Sequence, residues 1–110
     1  MQKAQVFYND QYLVGTLSKS KGKYCFEYDD YYFVNAQMPA ISLTFPKTQK
    51  KYESNQLFSF FYGLLAEGEQ KDLQLNILKI PKDDHFTRLI KTAHYDTIGA
   101  ITVKEITESQ

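Results

Sequence analysis

Tryptophan is absent, cysteine occurs once, and neither sign of charge is in excess. The lone Cys25 has no partner for an internal disulfide, which excludes a disulfide-stapled scaffold. Thirteen basic and thirteen acidic residues cancel. A protein that holds nucleic acid by its phosphates normally shows a basic excess, so a primary role on nucleic acid is disfavoured. Long apolar runs are also missing. The longest, Leu57 to Ala66, is interrupted by Ser59 and Gly63 and reaches about half the length of a membrane-spanning helix. The first residues, Met1-Gln2-Lys3-Ala4-Gln5, lack the apolar stretch of an export signal. A single thiol and no such signal give a cytoplasmic expectation.

What remains suits one domain over residues 1–110 with one core: 43% of the residues are hydrophobic and 15% aromatic. The first half alternates as strands do. Residues 4–8 form a short β segment, Asn9-Asp10 a turn, and residues 11–18 a second strand. Alternation puts Tyr12, Val14 and Thr16 on one face and Leu13, Gly15 and Leu17 on the other. Residues 18–23 form a basic hairpin tip, and Tyr24, Phe26 and Tyr28 mark a third strand. Asp30 is a cap for a helical turn over Tyr31 to Ala36. Residues 40–45 alternate again, with Ile41, Leu43 and Phe45 inward, and Pro46 stops them. Lys47 to Lys51 reads as a solvated loop.

The period then changes. Leu57, Phe58, Phe61, Leu64 and Leu65 share one helical face, with Ser54 or Asn55 as cap. Leu73, Ile77 and Ile80 mark a second helix over about Glu69 to Leu78. Asp83 or Asp84 caps a third, whose inner face is Phe86, Leu89, Ile90 and Ala93. A last strand runs from Ala100 to Ile106. The expected class is α+β: a mostly antiparallel sheet of about five strands with three helices packed on it.

Reactive chemistry is sparse. His85 and His94 stand without a third nitrogen or sulfur ligand, so no metal site is assigned. Cys25 sits mid-strand without a base beside it. Glu67 and Glu69 bracket Gly68, where a solvated loop between two helices is favoured over acid–base work. No phosphate-cradling glycine motif occurs, so no cofactor is assigned. Tyrosine is the surplus. Tyr12, Tyr31 or its neighbour Tyr32, and Tyr62 cannot all face the core. Exposed tyrosine suits a partner interface, while sheet propensity also enriches it, and both readings stay open.

Five short runs, in order, carry a resemblance. They are Leu13-Val14-Gly15-Thr16-Leu17, Phe26-Glu27-Tyr28-Asp29, Ile41-Ser42-Leu43-Thr44-Phe45-Pro46, the stretch from Phe60 to Glu69, and Asp96-Thr97-Ile98-Gly99-Ala100-Ile101. Together they resemble the N-terminal subdomain of HipA-type kinases. Ala66, Thr97 and His94 depart from that family's usual proline, cysteine and glycine. The resemblance implies that the ATP-binding and catalytic residues of such kinases lie beyond this subdomain, so no enzyme activity is expected. It also implies a role known for free-standing copies of the subdomain in tripartite HipBST toxin–antitoxin systems. There a small antitoxin binds and inhibits a HipT-like serine/threonine kinase, and a HipB-like DNA-binding protein is the third component.

The kinase-contact candidates are Tyr62, Leu65, Ala66, Glu67, Gly68 and Glu69. Three rivals remain: a DNA-binding or co-repressor subunit of the same operon, a small interaction module of other function, and a small enzyme using Glu67 with His85 or His94. No membrane partner is expected. On this basis the purified chain is expected to show no saturable ATP binding in calorimetry. Measured binding would overturn the non-catalytic expectation.

Overall fold

Two hairpins begin the chain, and their turns explain their register. In the computed structural model, residues 2–65, 71, 75–93 and 100–106 are described. Strands β1 (Gln2–Tyr8) and β2 (Tyr12–Ser20) pair antiparallel, as do β2 and β3 (Lys23–Tyr28). Asn9 and Asp10 take φ of 51° and 58°, the left-handed region that short polar side chains tolerate. Lys21 and Gly22 follow with 52° and 76°, as a two-residue hairpin turn requires.

The period-two reading of β2 fails at one point, for a definable reason. Val6 pairs with Gly15 but Phe7 pairs with Leu13, so Val14 is an extra, bulged residue. The bulge resets the phase. Val14 and Leu17, expected on opposite faces, are both buried in the same core. The Val14 carbonyl accepts the Asp29 N–H at 2.7 Å, which ties the bulge to the end of β3.

Two further strands widen the sheet. β4 (Lys51–Ser54) pairs with β3, and β5 (Ile101–Ile106) pairs with β1. The order is β4-β3-β2-β1-β5, and every neighbouring pair is antiparallel. The expected α+β class therefore stands, with one strand relocated. Residues 40–45 are not a strand, and the supposed solvated loop before Lys51 leads straight into one. Hydroxyl groups decide this. Ser42 and Thr44 bond each other and the local backbone, which gives the chain an alternative to a ladder.

Helix α1 (Asp30–Val34) is capped by Asp29, one residue before the expected cap, whose carboxylate accepts the Tyr31 N–H. Helix α2 (Ser59–Tyr62) is much shorter than the Leu57–Leu65 periodicity suggested. Ser54 bonds the Gln56 N–H instead of starting a helix, and Leu64 and Leu65 close tighter turns on Phe61 and Tyr62. Residues 75–78 are helical, but Ile77 is exposed rather than inward, and Leu73 lies outside the described residues. Helix α3 (His85–Thr92) matches expectation: Asp84 accepts the Thr87 N–H at 3.1 Å, and Phe86, Leu89, Ile90 and Ala93 are buried. Its last turn is stitched to β5, since Val103 N–H donates to the Ala93 carbonyl at 3.0 Å.

Phe26 of β3 stands at the centre of the core. Its ring lies 4.9 Å from Phe45, 5.0 Å from Tyr28 and 5.6 Å from Phe61. Phe61→Ala is expected to destabilise the protein by about 3–5 kcal/mol, the cost of a large core cavity. Gly15→Ala is expected to cost about 1–3 kcal/mol, because an added Cβ meets the backbone of Glu27 on β3. Thermal melts check both, and an unchanged midpoint for either would refute its packing assignment.

Candidate protein-interaction surface

Strand alternation gives the sheet two unlike faces. Phe26 and Tyr28 point to the core, so Lys23, Cys25 and Glu27 point the other way. That second face is polar. Glu53 lies 3.7 Å from Lys23 and 3.8 Å from Lys51, so these two lysines share one carboxylate. Ser18, Lys21 and Cys25 share a shallow depression with these groups. Burial pushes the Cys25 thiol up, and Glu53 and Glu27 add to that against Lys51, so the environment does not activate it. Among the described residues, no group of three or more potential ligands could hold a metal ion.

The predicted contact segment is only partly placed. Tyr62 ends α2 with 38% of its surface exposed, its ring edge-on to His85 at 4.9 Å. Among the described residues, His85 Nδ1 is buried without a hydrogen-bond partner. Leu65 corrects the expectation: it is buried in the core, where it supports the segment and offers no surface. Ala66, Glu67, Gly68 and Glu69 lie outside the described residues, as does His94.

Ile77, Leu78 and Ile106 are also exposed, but the most exposed apolar side chains lie in two other places. The first is Leu43, which is 100% exposed although its alternation pointed inward. A hydrogen-bonded turn presents it: Phe45 N–H donates to the Ser42 carbonyl at 3.0 Å, and Thr44 N–H to Ser42 Oγ at 3.1 Å. Phe45 then anchors the turn in the core, and its carbonyl accepts the Tyr28 hydroxyl. The Ser-x-Thr spacing before Pro46 was the available signal for a turn, and the alternation masked it.

The second place is α1. Tyr32 faces inward and donates from its hydroxyl to the Pro39 carbonyl at 2.6 Å. Burial, with smaller effects from Tyr28 and Tyr8, pushes its phenol up to about 12. Lys47 sits 5.1 Å from the centre of that ring, held by the carbonyls of Asn35 and Met38 at 2.7 and 2.8 Å. Desolvation pulls the Lys47 ammonium down. Tyr31 and Val34, three residues apart, point outward and are 85% and 76% exposed. Tyr12, at the start of β2, stands across a shallow groove from Tyr31. A short helix that is apolar on both sides is a surface built for burial. The sequence flagged Tyr12 and Tyr31, but Val34 and Leu43 were missed.

Comparisons with known proteins agree on one relationship. The family model described as the HipA N-terminal domain matches residues 4–104. Among solved structures, the chain is similar to one described as the "N-terminal domain of HipA toxin". The two are 22% identical, with a TM-score of 0.75 over 99% of this chain and 96% of that one. No curated protein matches.

The contrast between two neighbours tests the surface assignment. Leu43→Ser is expected to change stability by no more than about 0.5 kcal/mol, as for an exposed side chain without partners. Phe45→Ala, two residues on, should cost about 3–5 kcal/mol. Equal losses in chemical denaturation would show that Leu43 is not free at the surface.

Proposed function

The chain belongs to the HipA N-terminal domain family, and from that premise we propose that it is a HipS-like antitoxin that binds and restrains a HipT-like serine/threonine kinase. The observation that carries this reading is the family match over residues 4–104. A detached subdomain keeps the surface that it would bury against its kinase in a fused chain, and that surface docks in trans. Association then costs entropy that fusion avoids, so the interface must contain good anchors. Exposed Tyr62, Tyr31, Val34 and Leu43 are suitable ones. Tyr62 and the carboxylates of Glu67 and Glu69 remain the contact candidates from sequence. The action is cytoplasmic and non-catalytic, without cofactor, and a HipB-like DNA-binding protein joins a ternary complex.

A DNA-binding role is less well supported. The net charge is zero, and the sheet-face lysines Lys23 and Lys51 face Glu53. Retarded DNA in a gel shift with the chain alone at physiological salt would favour that rival.

Co-expression with the kinase provides the test. The wild-type chain should restore growth and co-purify with the kinase. Tyr62→Ala and Glu67→Lys should weaken both effects while the circular dichroism spectrum is kept. The first removes an aromatic anchor, and the second reverses a charge, typically costing about tenfold or more in affinity where the partner is basic. Full rescue by both variants would exclude this segment as the contact. Failure of the wild type to bind or rescue would refute the antitoxin reading.

A further inference from the structure

The groove between α1 and the β1–β2 turn holds a carboxylate whose situation differs from that of its neighbours. Asp10 lies 3.3 Å from Lys104, and Asp30 pairs with Lys50. Asp29 has no ion-pair partner among the described residues, and its carboxylate accepts only the Tyr31 N–H at 3.2 Å. It lines the groove together with Tyr12, Tyr31, Tyr32 and Met38. The groove has a volume of about 230 Å³, large enough for one long side chain and too small for a folded element. We propose that this groove receives an arginine side chain of the kinase partner, with its guanidinium on Asp29 and its flat face against Tyr31 or Tyr12.

The chemistry favours that occupant on three counts. An uncompensated carboxylate beside aromatic rings attracts a cation by charge and by ring quadrupole together. Tyr32, which also lines the groove, already holds a cation against its ring, since Lys47 lies 5.1 Å from its centre. A planar guanidinium satisfies a carboxylate and stacks on a tyrosine at the same time, which a lysine ammonium does not. Val34, exposed on the same helix as Tyr31, supplies an apolar flank for residues beside the arginine.

The arginine does not come from the surface of these 110 residues. The chain has a single arginine, Arg88, and it is 2% exposed. A second copy of these residues therefore has none to offer at its surface. That the partner is a kinase rests on the proposed function; the groove and its preference for arginine do not.

The experiment measures affinity of the full chain for the co-expressed HipT-like kinase at low and high salt. Asp29→Asn retains a capping side chain for α1, so the fold is kept while the charge is lost. It should weaken binding about tenfold at low salt and flatten the salt dependence. Tyr31→Ala, at an exposed position, should weaken binding about tenfold or more at both salts. Glu53→Gln, on the polar sheet face, is the control and should bind as wild type. Sedimentation of the chain alone should show a monomer.

If the wild type binds the kinase and both groove variants bind within about twofold of it, the groove proposal is wrong and the antitoxin reading stands. An equal loss in Glu53→Gln means general attraction and also overturns the groove. A dimer of the chain alone that Tyr31→Ala dissociates makes a second copy the occupant, against the proposal. If the wild type does not bind the kinase, the antitoxin reading fails and takes the named partner with it.

Discussion

The contact among Phe26, Phe45 and Phe61 is the constraint on which the rest of this structure depends. Phe26 comes from the sheet, Phe45 from the long connection after α1, and Phe61 from α2. Their centroids lie 4.9 to 5.7 Å apart, in tilted arrangements favoured by aromatic quadrupoles. One side of a five-stranded sheet must be covered, and the short helices α1 and α2 are too small to do it alone. The connection itself has to serve as a covering layer. Phe45 makes this possible, because its burial draws residues 40–46 against β3.

A connection buried in this way carries polar backbone that needs partners. Tyrosine hydroxyls provide them. Tyr28 bonds the Phe45 carbonyl and accepts the Ile41 N–H, Tyr32 bonds the Pro39 carbonyl, and Tyr52 bonds the Pro46 carbonyl. Burial raises the phenols of all three, so the neutral donor is the form that the fold favours. The tyrosine surplus therefore divides into two sets. Tyr28 and Tyr32 are buried pins for a layer without regular structure, whereas Tyr12 and Tyr31 stand at the surface. Neither sheet propensity nor partner binding alone explains both.

The same arrangement stiffens the apolar features that point outward. Leu43 projects from a turn anchored on each side, and Tyr31 and Val34 project from a helix whose other side is pinned by Tyr32. Side chains held in this way lose little freedom when a partner covers them, which suits recognition in trans. The opposite sheet face, with its lysines and glutamates set against each other, has the character of a solvated surface.

Much of the fold was legible in the sequence. The hairpins, α3 with its Asp84 cap and buried stripe, the last strand and the α+β class follow from local signals, namely turn residues, capping residues and short-range periodicity, whereas the family was legible only through five short motif runs in order. The candidate surface was legible only as a count of tyrosines too many for one core. Alternation assigned Leu43 and Phe45 to the same side, and it assigned Val14 and Leu17 to opposite sides. Tertiary structure reversed both. The bulge at Val14 depends on pairing with β1, and the turn at Ser42 depends on Phe45 reaching Phe26 and on a hydroxyl supplied by Tyr28. Such partners lie on other segments, from the neighbouring strand to residues far along the chain, and the period-two pattern of one segment carries no record of them. What local chemistry determined was which segments pair or coil. Which of their side chains remain outside was decided only when the layers met, because a core of fixed shape accepts Phe45 and leaves Leu43 to the surface.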